Sequence, residues 1–109
     1  MARDSLGNFE HQVLLTVLRL GGEGYSVTVV EELEERTRRE VAQAAVFIVL
    51  RRLEKKGLLT SRFEDPGAGG SGRTRCYFKL TALAMRQLKD ARRQLKWLWD
   101  GVETVLDKA

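Results

Sequence analysis

The chain is poor in the residues that build most chemical sites. One cysteine, Cys76, and one histidine, His11, occur among its 109 residues. A single cysteine cannot form a disulfide within the chain, and with one histidine no cysteine or histidine zinc site can be assembled. This scarcity predicts no metal and no cofactor, and fits a reducing cytoplasm. It also argues against an enzyme, since no nucleophile-and-base pair can be drawn and the carboxylates fall mostly on solvated helix faces. Long apolar runs are missing too. The longest, Ala44 to Leu50, is far short of a membrane span, and the opening MARDSLGNFEH lacks a signal peptide's apolar core. The expectation is a cytoplasmic protein without membrane contact.

What remains is ordinary globular material with a basic tilt. A composition of 43% hydrophobic and 31% charged residues at this length predicts one domain with a modest core. The net charge of +4 favours a polyanionic partner, although a merely soluble basic surface gives the same total. The distribution of the charge has to decide.

That distribution centres on Val41 to Thr81. Val46, Leu50 and Leu53 recur at helical spacing as one buried stripe, while Gln43, Phe47, Arg51 and Lys55 follow one another four apart on another face. Gly57, just after Lys55 and Lys56, stands where a helix ends in a left-handed residue with cations near its negative terminus. Leu58 to Phe63 and Thr74 to Leu80 then read as strands around EDPGAGGSGR, which contains the only proline. In the second strand Arg73, Arg75 and Tyr77 share a face that Arg62 and Lys79 can join, and Phe78, Leu80 and Phe63 are assigned to the core. A helix followed by a basic-edged hairpin predicts a winged helix that puts the helix into the major groove of double-stranded DNA.

Ahead of this stretch, Asn8 is a candidate cap for a helix from Phe9 to about Leu20, with Phe9, Val13, Leu14, Val17 and Leu18 facing the core. Gly21 and Gly22 end it. Ser26 is the expected cap of a second helix, with Tyr25 packing on Val30 as a staple and Val27, Val30 and Leu33 facing inward. The outer face of that helix is acidic until the basic run that contains Arg36 and Arg38.

After Thr81, itself a good cap, the chain reads as one long helix. Ala84, Leu88, Ala91, Leu95, Leu98, Val102 and Val105 alternate steps of four and three, which is a heptad seam. A small domain has no room to bury such a seam, so a second copy of the chain is the economical partner, and a homodimer is expected. Basic residues gather in the first part of this helix and acidic ones in the last, which predicts antiparallel crossing of the two copies. Trp99 lies beside the seam and Trp97 points nearly the opposite way.

The succession GYSVTVVEEL, AVFIVLRRLEKKGLL and GRTRCYFKLT resembles the PadR family of bacterial transcriptional regulators, whose pattern runs Gly-Tyr-x-Ile, x-Val-Tyr-x-x-Leu-x-Arg-Leu-x-x-x-Gly-Leu and Gly-Arg-x-Arg-x-Tyr-Tyr-x-Leu-Thr. The length matches the branch with a single helix after the wing. The resemblance implies a homodimeric regulator that occludes a promoter, with the first helix also packing on the partner subunit, and in some members a flat aromatic effector held between tryptophans, here Trp97 and Trp99. The chain departs from the pattern where hydroxyls are usual. Ala42 stands at a cap position, Ala44 replaces a glycine, Phe47 a tyrosine, Val49 a threonine and Cys76 a basic residue.

The fold class expected is α+β, mostly helical: a winged helix-turn-helix over residues 1–80 and a dimerisation helix over 81–109. Phosphate contacts are assigned to Arg36, Arg38, Lys55, Lys56, Arg73 and Arg75, and base contacts to Gln43, Phe47 and Arg51. Phe47 packing beneath the wing is an equal alternative. Leu88, Ala91, Leu95, Leu98, Trp99, Val102 and Val105 are assigned to dimerisation. The rival reading is a winged-helix module that binds protein and no longer reads DNA, for which the lost hydroxyls are the best argument.

Overall fold

A computed structural model describes residues 6–65 and 74–109. In chain order the elements are α1 (Asn8–Arg19), β1 (Glu23–Gly24), α2 (Ser26–Thr37), α3 (Gln43–Lys55), β2 (Leu59–Glu64), β3 (Arg75–Leu80), α4 (Ala82–Trp99) and α5 (Glu103–Asp107). Three helices and a small antiparallel sheet with strand order β1-β3-β2 form a winged helix-turn-helix, as the sequence predicts. Among the described residues no helix is long and apolar enough to cross a membrane.

The core follows the helical stripes. Val13, Leu14 and Val17 of α1, Val29 and Leu33 of α2, and Val46, Leu50 and Leu53 of α3 are buried together with Leu58, Leu59 and Phe78. Phe9, Leu18 and Val30 pack half-buried against them. On α2 the inward position is Val29, and the expected Val27 is only half-buried. Val49, which stands at a hydroxyl position of the family pattern, joins the core at 5% exposure.

Helix ends depart from the predicted caps. Gly7, and not Asn8, precedes α1, and its N–H donates to Glu10 Oε1 at 3.0 Å. Ser26 is already helical; the cap of α2 is Tyr25, whose N–H donates to Thr28 Oγ1 at 3.1 Å. The ring of Tyr25 meets Tyr77 edge-on at 5.2 Å. Gly57 takes the left-handed conformation expected of it, with φ of 79°. Thr81 caps α4 as predicted, accepting from Ala84 N at 3.2 Å, and its hydroxyl donates to the Gly57 carbonyl at 2.8 Å. One threonine thus ties the start of α4 to the end of α3.

β1 was not predicted. Glu23 and Gly24 pair with Lys79 and Phe78 of β3, and a Cβ at Gly24 would stand 2.9 Å from Leu20 Cδ1 and 3.1 Å from Thr28 Oγ1, so only glycine lets this edge close on the helices. In the hairpin, Phe78 is fully buried, whereas Phe63, predicted as core, is 68% exposed. It pairs with Cys76 and borders a cleft with Val27 and Phe47, where it stays largely in solvent.

The last helix is not continuous. α4 stops at Trp99, Gly101 turns the chain with φ of 85°, and α5 is a separate short piece. The predicted seam is therefore interrupted before Val102 and Val105, and its acidic end lies outside α4.

Candidate nucleic-acid interface

α3 presents its predicted face to solvent. Gln43, Phe47, Arg51 and Lys55 are all exposed, along a row that runs from beside the buried stripe at Gln43 to opposite it at Lys55. Gln43 Nε2 donates to Ser26 Oγ at 3.2 Å, which leaves its carbonyl oxygen and second N–H free, the pair that adenine N7 and N6 require. Arg51 is held by Glu54 at 3.1 Å and lies 5.6 Å from the Phe47 ring centroid. Glu54 also accepts from the Ser61 hydroxyl, linking α3 to the wing. The Phe47 ring meets Phe78 edge-on at 6.1 Å yet is 38% exposed, so it both packs under the wing and reaches solvent.

The wing base is built from alternating cations and rings. Arg75 lies over Tyr25 at 4.9 Å, Tyr25 meets Tyr77, and Arg62 lies over Tyr77 at 4.7 Å. Arg62 donates to Glu23 and Glu64, each at 3.1 Å, and its hydrogen bonds to these two carboxylates push its pKa above the usual arginine range. It is a strut of the wing, whereas Arg75 remains exposed at the mouth of a cleft of about 620 Å³ shared with Tyr25, Gln43 and Phe47.

The other assigned cations are distributed differently. Arg36 pairs with Glu32 at 3.1 Å, and Glu32 also holds Arg19 of α1 at 3.0 Å. Those two guanidinium hydrogen bonds hold the Glu32 carboxyl below its ordinary range. Arg38 ends α2 in a left-handed conformation with φ of 59° and is exposed. Lys55 is exposed, but Lys56 donates to Glu10 Oε1 at 2.8 Å and is largely covered, so a phosphate contact from it would first have to break that pair. Arg73 and the tip of the wing lie outside the described residues.

The residues assigned to dimerisation divide into two groups. Leu88 is 6% exposed and Ala91 half-buried against the domain, whereas Leu95 is 48%, Leu98 73% and Trp99 42% exposed. Leu95 and Trp99 border an apolar groove of about 590 Å³ between α1 and α4, together with Leu15, Leu18 and Met85. His11 is half-buried in the wall of this groove. Val102 and Val105 are exposed beyond the break, and Trp97, 67% exposed, does not line the groove.

Two features escaped the sequence reading. Glu10 is a buried carboxylate at 7% exposure, tied to Gly7, Lys56 and Arg52; an acid in the first turn of a helix was the available signal. Ile48 is 58% exposed on α3, and its position opposite the stripe of Val46, Leu50 and Leu53 could have been read from helical spacing.

This geometry agrees with known proteins. A PadR family regulator from Eggerthella lenta is 27% identical and superposes with a TM-score of 0.69, covering 89% of this chain and 82% of that one. A PadR family regulator from a hypervirulent Clostridium difficile gives a TM-score of 0.70 at 18% identity, over 88% of this chain and 97% of its own. BpsR of Bordetella bronchiseptica, whose DNA binding is regulated by 6-hydroxynicotinic acid, gives 0.63 at 19% identity, over 93% and 70%. The sequence model of the transcriptional regulator PadR-like family matches residues 14–90, a span running from the middle of α1 through the wing into α4. With helix, wing and family sequence pattern coinciding over that span, the chain belongs to the PadR-like family of transcriptional regulators.

Proposed function

We propose that this DNA-binding regulator acts as a homodimeric repressor on a pseudo-palindromic operator, with one α3 from each copy in successive major grooves. The observation that carries this reading is the exposed face of α3, where Gln43 keeps a free donor and acceptor beside Arg51 and Lys55, with Arg75 across the cleft. Gln43 and Arg51 discriminate bases, and Phe47 offers its exposed edge to a thymine methyl. Arg36, Arg38, Lys55 and Arg75 bind phosphates, with Arg73 assigned to the same role from the sequence. Selection of duplexes from a random pool tests the reading. Enriched inverted repeats with half-sites about one helical turn apart are the expected result.

The second copy is proposed to cover the apolar groove between α1 and α4, where Leu15, Met85, Leu95 and Trp99 are left partly exposed by the domain itself. An aromatic effector would enter the same groove beside Trp99, as a small-molecule response is named for the Bordetella relative. Quenching of Trp99 fluorescence by planar compounds, lost in Trp99→Ala, tests it. A module that binds only protein is the rival reading. It draws on Ala42, which caps α3 without a side-chain hydrogen bond and so leaves its first turn less anchored.

A further inference from the structure

The outermost line of α3 is not the row singled out by spacing four from Gln43. Opposite the buried Val46, Val49, Leu50 and Leu53, the helix points Ala44 and Ile48 outward, then Arg51 and Lys55 one turn later. Ile48 is 58% exposed, more than Phe47 at 38%, and the core has no need of it. A single exposed isoleucine is ordinary on a protein surface, but this one stands at the centre of the outward face of the helix proposed above to enter the major groove.

We infer that Ile48 is a specificity-determining residue that packs on the C5 methyl group of a thymine in the major groove. This rests on the DNA-reading function proposed above and names the base chemistry that α3 recognises. Three observations favour a methyl over a protein surface as the occupant. The exposed apolar spot is small, formed by Ala44, Ala45 and Ile48 with the edge of Phe47 beside it and bounded by Arg51 and Arg52, so it offers a few methyl contacts and not the apolar core of a protein interface. The small side chains of Ala44 and Ala45 let the first turn of the helix approach base edges closely. Lys55, exposed on the same face, suits a phosphate at the edge of the groove, and so do Arg51 and Arg52, which here are paired with Glu54 and Glu10.

The inference explains the missing hydroxyls of this helix. A thymine differs from every other base in the major groove by its methyl group, so an aliphatic side chain can discriminate it without donor or acceptor. Gln43 and Ile48 would then read adenine and thymine by different forces, one by paired hydrogen bonds and one by apolar contact.

The test uses the tightest duplex from the random pool, with thymines replaced one at a time by deoxyuridine, which removes the methyl and leaves base pairing intact. Burial of one methyl predicts that at least one thymine per half-site, in addition to any read by Phe47, weakens binding of the parent protein about four-fold when replaced and has no such effect in Ile48→Ala. Ile48→Ala should bind the thymine and deoxyuridine duplexes alike, at about the level of the parent on deoxyuridine. Because Ile48 is exposed, the variant should melt with the parent, which separates lost reading from lost folding. The inference is overturned if no thymine is sensitive, or if parent and Ile48→Ala respond equally. It is also overturned if Ile48→Ala leaves binding to every duplex unchanged, in which case the spot belongs to a protein partner. Failure to enrich any duplex would instead remove the DNA-reading function itself, and this inference with it.

Discussion

Lys56 Nζ stands 2.8 Å from Glu10 Oε1, and this contact joins the end of α3 to the first turn of α1. Glu10 also accepts from the Gly7 N–H at 3.0 Å and lies 3.8 Å from Arg52, so one buried carboxylate joins the start of α1 to the end of α3. Burial by itself pushes this carboxyl up. The hydrogen bonds from Lys56 and Gly7 and the charges of Lys56 and Arg52 together outweigh it and hold the pKa below the ordinary 4.5.

A folded-state pKa below the unfolded one means stability that is complete above the unfolded value and lost as pH falls through the folded one. Stability should therefore decline below about pH 4.5 partly through Glu10. Glu10→Gln should flatten that part of the acid limb, and Glu10→Ala should cost roughly 1–3 kcal/mol at neutral pH by stranding Lys56 and the Gly7 N–H. Urea denaturation of parent and variants between pH 3 and 7 reads both effects, and parallel curves would dismiss the assignment.

Arg75 and Gln43 should separate affinity from discrimination. Arg75→Ala should weaken binding to all duplexes by a similar factor and reduce the salt slope by about 0.9, the value for one lost phosphate contact. Gln43→Ala should cost roughly 1–3 kcal/mol on the preferred site with almost no change in slope. Titrations of fluorescent duplex at several salt concentrations measure both, and equal losses on preferred and random DNA for Gln43→Ala would deny it a base contact.

Ending the chain after Gln94 should leave the domain folded and monomeric. Ala84 and Leu88, which belong to the core, are kept, while the exposed Leu95, Leu98 and Trp99 are removed. Sedimentation should report a monomer that binds the operator far more weakly. A truncated chain that stays dimeric would place the interface elsewhere.

The two phenylalanines of the wing should behave oppositely. Phe78, fully buried, should cost about 3–5 kcal/mol when replaced by alanine. Phe63→Ser, at a position 68% exposed, should change stability by no more than about 0.5 kcal/mol. Thermal melts distinguish them, and a large loss for Phe63→Ser would return that residue to the core.

The sequence by itself determined what depends on neighbours along the chain. The buried stripe of α3, the stop at Gly57, the cap at Thr81 and the face shared by Arg75 and Tyr77 were all legible, because helical period, strand alternation and capping are set by residues a few positions apart. The candidate row Gln43, Phe47, Arg51 and Lys55 was legible for the same reason. Tertiary structure decided what depends on distant segments. The pairing of Gly24 with Phe78 needs the wing to return to the end of α1, and the burial of Glu10 needs Lys56 brought beside it. Alternation gave Phe63 its face but not its burial, which depends on what distant segments bring over it. The heptad spacing ran on through Gly101, although the backbone there turns out of the helix, because a pattern of side chains does not hold a chain helical unless something packs against it.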